Sequence, residues 1–184
     1  AGRRVSVVLP ARDEAATVGE IVATLRTELV DRVGLIDELV VVDSHSTDAT
    51  ATVARAAGAR VVAQGDVLPA LGDLPGKGEA LWKSLAATDG DLVAFLDSDL
   101  RDFDPAFAVG LLGPLLTEPG VVFSKGAFDR PLDDGRTVLP AGGGRVTELV
   151  ARPLLALHWP DLAEFVQPLV GEYAGTREAL ESIP

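Results

Sequence analysis

The chain has 184 residues, 47% of them hydrophobic, with 28 Asp and Glu against 16 Lys and Arg. That length and apolar content describe one folded domain with a sizeable core and argue against disorder, while a net charge of −12 disfavours a nucleic-acid surface, which needs clustered Lys and Arg. The absence of cysteine excludes disulfides and thiolate metal sites and fits a reducing, cytoplasmic setting, and no apolar stretch approaches the roughly 20 residues of a membrane span.

The first residues, Ala1-Gly2-Arg3-Arg4, run straight into an apolar strand over Val5–Leu9, so they do not read as a signal peptide; they read as the trimmed start of a longer chain. Pro10 is expected to break that strand, and Ala11-Arg12-Asp13-Glu14 to form a polar loop. Val18, Ile21, Val22 and Leu25 recur at helical spacing, which predicts an amphipathic helix from about Ala15 to Leu29. Leu39–Val42 is the second strand. Its Asp43-Ser44-His45-Ser46-Thr47-Asp48 tail reads as a loop ending in a helix N-cap, with a helix over Ala49–Ala57 and Gly58 as its C-cap. Arg60–Val62 is a short third strand, followed by a long Pro- and Gly-rich loop to Gly76 and a helix over Lys77–Ala87.

Asp91–Leu96 is the fourth strand, a near-continuous apolar run of the kind buried in a parallel sheet. Asp104-Pro105 caps a helix through Leu116, Val121–Ser124 is a fifth strand, and residues 129–144 read as loop. A helix over Val146–Leu157, bent at Pro153, and a short one over Thr176–Glu181 complete the pass. Strands alternating with helices predict an α/β fold with a doubly wound, mostly parallel sheet. Neither G-x-G-x-x-G after the first strand nor G-x-x-x-x-G-K-[ST] is present, so the dinucleotide and P-loop versions are not supported.

Asp97-Ser98-Asp99, at the end of the fourth strand, is the most informative segment. Carboxylates there sit at the carboxyl edge of the sheet, where open α/β folds bind ligands. Their hard oxygens suit Mg2+ or Mn2+ bridged to substrate phosphates. On its own the motif fits a solvated acidic turn equally well. Three further segments fall on the same edge: 10–14 after the first strand, 43–48 after the second, and Pro75-Gly76-Lys77-Gly78 before the fourth. Backbone near Pro10 together with Glu14 could receive a base or ribose, Ser44 could hydrogen-bond the base, Lys77 between its glycines could approach a phosphate, and Asp99 could hold the metal. Taken singly, 43–48 also fits an N-cap loop with an exposed His45, and the Lys77 segment a simple turn. Trp82 is expected in the core rather than as a sugar platform.

Four of these stretches, residues 7–15, 41–48, 76–82 and 95–100, resemble the GT-A nucleotide-sugar glycosyltransferases. Gly142–Leu149 and Gln167–Tyr173 narrow the likeness to the glucosyl-3-phosphoglycerate synthases, and it covers nearly the whole chain. The resemblance implies a single GT-A (Rossmann-like) domain, with a donor-binding part at 1–125 and the start of an acceptor-binding part at 126–184. It implies transfer of glucose from UDP-glucose, or another NDP-glucose, to 3-phosphoglycerate with retention, on the way to glucosylglycerate and methylglucose lipopolysaccharide. It also implies a magnesium or manganese cofactor and a homodimer. By motif, Pro10, Ala11, Glu14 and Ser44 contact uridine, Lys77 contacts the donor, and Asp97, Ser98 and Asp99 form the DXD motif with Asp99 as metal ligand. Gly144, Arg145 and Thr147 bind the acceptor, with Asp99, Arg145 and Lys77 the residues expected to act in catalysis. A Gly-rich loop at a helix start offers free N–H groups and a positive dipole end, and Arg145 adds a bidentate cation, which suits that acceptor role.

Two departures are visible. Asp13 stands where the family more often has Asn. The family's later acidic residue and metal-completing His lie beyond Pro184, and the histidines here are His45 and His158, the latter read as structural beside Trp159. Either the sequence is a fragment or the remaining region is disordered, and the metal sphere is expected to be incomplete as it stands. A GDP-mannose transferase of the mannosyl-3-phosphoglycerate type and a non-catalytic nucleotide-sugar binding module are the alternatives. Arg12, Lys125, Arg130 and Arg152 are further candidate phosphate neighbours that the sequence does not rank.

Overall fold

The structure is a computed structural model describing residues 2–127 and 146–183, together with the backbone of 132–133 and 138–139. The chain divides into two compact units, Ala1–Ser124 with Glu172–Pro184, and Lys125–Gly171.

The first unit is built on a six-stranded sheet. Its elements in chain order are β1 (Val5–Ala11), α1 (Val18–Leu25), β2 (Glu38–Asp43), α2 (Thr50–Ala56), β3 (Arg60–Ala63), α3 (Lys77–Ala86), β4 (Leu92–Phe95), α4 (Ala106–Thr117) and β5 (Phe123–Lys125). β8 (Tyr173–Thr176) and α6 (Arg177–Glu181) return to it from the end of the chain. The strand order is β3-β2-β1-β4-β8-β5. β1 pairs in parallel with β2 and β4, β2 in parallel with β3, and β8 runs antiparallel to β4. The mostly parallel, doubly wound sheet expected from the alternating pattern is therefore present. The chain leaves β1 toward β2 on one side and later returns to β4 on the other, so the order reverses between β1 and β4. In such sheets that switch point opens a crevice at the carboxyl ends of the strands.

The apolar runs explain the layering. Every residue of β1 and β4 is buried, as expected for strands covered on both faces. On one face Val7, Leu9, Val41, Ala94 and Leu96 meet Val18, Ile21, Val22 and Leu25 of α1 and Leu111, Leu112 and Leu115 of α4. On the other, Val8, Val40, Val42, Val93 and Phe95 meet Ala80 of α3 and Leu180 of α6. Each valine or leucine fully withdrawn from water stabilises by about 1.5–3 kcal/mol, so these two layers supply most of the driving force.

Several boundaries differ from expectation for physical reasons. Pro10 lies inside β1 rather than ending it. The carbonyl of Ala11 faces β2, where it accepts from the Ser44 amide at 2.8 Å, and the carbonyl of Val8 faces β4, where it accepts from Leu96 at 3.0 Å. By strand alternation the missing N–H of Pro10 points to the β4 side, past the last ladder pair Val8↔Phe95, so no ladder bond is lost. The expected 15–29 helix begins as α at Val18 and continues as a π-helical segment over Arg26–Arg32. β8 was not expected: Tyr173-Ala174-Gly175-Thr176 carries small residues and no alternation, and it becomes a strand by pairing with β4. Trp82, expected in the core, stands on α3 with 48% of its surface exposed.

In the second unit, Leu132–Asp133 (β6) and Val138–Leu139 (β7) form an antiparallel pair, so the stretch read as loop contains strand pairing. A π-helical turn over Thr147–Ala151 leads without a break into α5 (Arg152–His158), and Pro153, which has no N–H to donate, stands just past the point where the π-helical turn gives way to α-helix. His158 closes that helix, exposed, with its ring 5.6 Å from Trp159. Among the described residues no helix is long and apolar enough to cross a membrane.

Candidate active site

A crevice of about 280 Å³ opens at the switch point and is lined by Pro10, Ala11, Arg12, Glu14, Ser44, Gly76, Lys77, Asp97, Ser98 and Asp99. All eight residues expected at a donor site are in that lining. They arrive from the ends of β1, β2 and β4 and from the start of α3. Of the residues expected at an acceptor site, Thr147 is described and buried; Gly144 and Arg145 lie outside the described residues, as does Arg130. Lys125 and Arg152 belong to the second unit, and Arg12 is exposed at the crevice.

The loops that carry these groups are tied to one another. Asp13 adopts φ +57°, and its carboxylate accepts from the Thr47 amide at 2.7 Å and the Thr47 hydroxyl at 3.1 Å. Its own amide donates to Ser46 Oγ at 3.0 Å. Glu14 N–H donates to Thr50 Oγ1 at 2.8 Å, and Ala15 N–H to the Asp48 carboxylate at 3.1 Å. The acid found at position 13 thus has work in this fold as a clasp between the first and second loops. Ser98, which stands between the two acids Asp97 and Asp99, is buried. Its hydroxyl donates to the Pro10 carbonyl at 2.7 Å and its own carbonyl accepts from Thr17 Oγ1 at 2.7 Å. These two bonds fix the chain between Asp97 and Asp99, so the flanking carboxylates point where the backbone aims them.

The charges are uneven. Asp97 is ion-paired to the Lys77 ammonium at the start of α3. Asp99 is exposed and, among the described residues, has no ion pair. Burial pushes the Glu14 carboxyl above its ordinary value, and the negative charge of Asp99 adds to that push. The crevice is short of positive charge at Asp99. A hard carboxylate there suits Mg2+ or Mn2+, which take one or two protein carboxylates and complete their sphere with phosphate oxygens and water. Among the described residues no group of three or more acidic, His or Cys side chains could hold a metal without such help.

A second set of residues gave no sequence signal. Gln64, just after β3, is fully buried; its Oε1 accepts from Ser44 Oγ at 2.9 Å, and its Nε2 donates to Asp73 Oδ1 at 2.7 Å and to the Leu74 carbonyl at 2.9 Å. Lys83, on the inner side of α3, is also fully buried. Its ammonium donates to the carbonyls of Gln64 (3.2 Å) and Gly72 (2.7 Å) and pairs with Asp73 (3.3 Å) and Glu79 (3.4 Å). His45, at φ +62° and exposed as expected, reaches Asp73 from the other side at 2.9 Å. The Gln64 amide, with Lys83 and His45 beyond it, holds the Asp73 carboxyl below its ordinary value. The long loop before α3 is thereby built around an internal cation. A lysine within an α3 sequence otherwise reading as amphipathic was the one available hint.

Residues 6–130 match glycosyl transferase family 2. The chain is similar to glucosyl-3-phosphoglycerate synthase of Mycolicibacterium smegmatis, 58% identical over 184 residues, covering 100% of this chain and 60% of that one. It is also similar to two crystal structures of glucosyl-3-phosphoglycerate synthase from Mycobacterium tuberculosis. The one in complex with Mn2+, UDP-glucose and phosphoglyceric acid gives a TM-score of 0.88 at 50% identity, covering 100% of this chain and 60% of that one. The one in complex with Mg2+ and UDP gives 0.87 at 50% identity, with 100% and 59% covered. The chain thus spans about 60% of the length of these relatives.

Proposed function

Because the chain belongs to glycosyl transferase family 2, we propose that it transfers glucose from UDP-glucose to 3-phosphoglycerate, with retention, giving glucosyl-3-phosphoglycerate. The observation that carries this reading is the convergence of Pro10, Ala11, Glu14, Ser44, Lys77, Asp97, Ser98 and Asp99, from separate stretches of sequence, on one crevice at the switch point. The complexes of the tuberculosis enzyme with Mn2+, UDP-glucose and phosphoglyceric acid support the choice of substrates and metal.

In this reading the uracil and ribose lie over Pro10 and Ala11, with Ser44 and Glu14 at their polar edges. The diphosphate lies between Lys77 and Asp99. A divalent cation held by Asp99 would neutralise charge on the diphosphate leaving group. Lys77 has three donors on one ammonium, so it can keep Asp97 while bonding a phosphate oxygen. Ser98, bonded to Pro10 and Thr17, contributes by keeping the two acids at fixed spacing. Gly144, Arg145 and Thr147 would hold the phosphate and carboxylate of the acceptor and turn its hydroxyl toward the anomeric carbon. Retention then proceeds by same-face attack assisted by the departing phosphate. A cytoplasmic homodimer is part of the proposal, and sedimentation tests the assembly.

Incubation with UDP-glucose, 3-phosphoglycerate and Mn2+ or Mg2+, followed by proton NMR, tests the reading. The expected result is metal-dependent release of UDP and an α-anomeric product signal. A β-anomer would overturn retention, faster turnover of GDP-mannose would overturn the donor, and tight UDP-glucose binding without product would leave a binding module.

A further inference from the structure

The polarity of the Ser44 hydroxyl is set from outside the crevice, and this has a consequence for which ligand the site takes. The Gln64 side-chain amide is fully buried. Its nitrogen faces two groups that can only accept, the Asp73 carboxylate at 2.7 Å and the Leu74 carbonyl at 2.9 Å. Reversing the amide would set its oxygen against both acceptors and leave two buried N–H groups without those partners. Its orientation is therefore dictated, and Oε1 must face Ser44. Among the described residues Gln64 is the one hydrogen-bond partner of the Ser44 hydroxyl, so the hydroxyl proton is committed to Gln64. What Ser44 has left for the crevice is lone pairs alone. Ser44 is itself held rigidly, being buried and bonded through its amide to Ala11.

We propose that Gln64, oriented by Asp73, is a specificity-determining positioning residue: it makes Ser44 an obligate acceptor, so that the crevice selects a nucleoside diphosphate whose base presents an N–H at that point. Uracil carries such an imide N–H at its pairing edge; cytosine carries a bare ring nitrogen there, which would meet the Ser44 lone pairs with no proton between them. The inference rests on the reading of the crevice as a nucleotide site. It adds that a residue with no ligand contact decides which pyrimidine is accepted. Asp73 contributes because it stays ionised and so remains acceptor-only, and Lys83 and His45 hold it there. A site built to use one hydrogen bond rejects an analogue lacking it far more strongly than a mere change of shape would.

The test is calorimetric titration of UDP and of CDP, each with Mn2+, into this chain and into Gln64→Leu, Asp73→Asn and Ser44→Ala, with thermal melts confirming that each variant is folded. The unmodified chain is expected to prefer UDP by on the order of tenfold or more. In Gln64→Leu the Ser44 hydroxyl is free to turn and donate, and in Asp73→Asn one of the two acceptors that fix the Gln64 amide can present a donor instead, so the amide is held by the Leu74 carbonyl alone. Gln64→Leu should bring the UDP-to-CDP ratio close to one and Asp73→Asn should lower it part of the way, both chiefly by gaining CDP affinity, and Ser44→Ala should bring it close to one by losing UDP affinity. Asp73→Asn, at a partly exposed position, keeps the test alive if Gln64→Leu does not fold. Equal weakening of both nucleotides with the ratio unchanged would assign Gln64 a purely structural role and overturn the proposal, while UDP binding by the unmodified chain left the nucleotide reading standing. Binding of neither nucleotide by the unmodified chain would overturn both.

Discussion

At the scale of single residues, the crevice separates groups that line its opening, and are proposed to touch a ligand, from groups that hold those groups still. Ser98 belongs to the second kind, since its hydroxyl is spent on the Pro10 carbonyl. Ser98→Ala is expected to lower stability by about 1 kcal/mol, the worth of one such bond, and to weaken UDP-glucose binding severalfold as Asp97 and Asp99 lose their fixed spacing. Chemical denaturation and calorimetry measure the two effects. Lys83 is another holder: Lys83→Ala would take from Asp73 one of its cations and leave the Gln64 and Gly72 carbonyls without their buried donor. A loss of roughly 2 kcal/mol or more is expected, with faster amide exchange over residues 64–76. The crevice-lining residues were legible in the sequence because most stand at the ends of apolar runs, and Lys77 between two glycines at a helix start, where chemistry asks for their types. Gln64, Asp73 and Lys83 were not, because they meet only through an irregular loop whose path no periodicity records. Asp13 was legible only as a departure from the family's more usual Asn, and its clasp on Thr47 depends on a positive φ that the sequence does not announce.

At the scale of elements, β4 is the strand on which the site depends, and its entry is the tightest point in the sheet. A Cβ on Gly90 would lie 2.5 Å from both the amide nitrogen and the hydroxyl of Ser6, and 2.8 Å from the Leu92 carbonyl. Gly90 also donates to Ser6 Oγ at 2.9 Å, and its carbonyl accepts from Arg177 at 2.7 Å. Gly90→Ala is therefore expected to cost about 2 kcal/mol or more, read as a lowered denaturation midpoint, because backbone and not a flexible side chain must yield. Arg177 completes that corner with bonds to the Leu85 carbonyl and Thr88, which ties β8 and α6 to the α3–β4 turn. The strands β1, β2 and β4 were readable as apolar runs. β8 was not: a strand of Tyr, Ala, Gly and Thr is defined by the partner it finds rather than by its own pattern. Pro10 misled for the opposite reason, since a proline is forbidden only where its missing N–H would have been used.

At the scale of the whole molecule, the fold class followed from the alternation of elements, whereas the second unit carried too weak a pattern to foresee its strand pairing. The acidic balance sets the response to pH. Asp48 is held below the ordinary carboxylate range first by the Thr50 hydroxyl, and Asp73 first by the Gln64 amide. In Glu38, burial works upward, but bonds from Ser6, the Asp89 amide and Arg60 carry its value down. These three contribute stability that is present above the ordinary carboxylate value and lost as pH falls through their lowered ones. Glu14 acts the other way: with its value raised in the folded state, charging it is a cost that disappears as pH falls. Thermal midpoints are therefore expected to hold steady or rise slightly from neutral pH down to about pH 5 and to fall steeply below about pH 4. A decline beginning above pH 5 would show that other groups dominate. The central claim is that the crevice between β1 and β4 is a metal-dependent nucleotide-sugar site centred on Asp99. Calorimetric titration of UDP-glucose into the chain, with and without Mn2+ and beside Asp99→Ala, tests it most directly. Binding heat that requires the metal and vanishes in Asp99→Ala is the expected result; no binding, or binding indifferent to both metal and Asp99, would contradict the account.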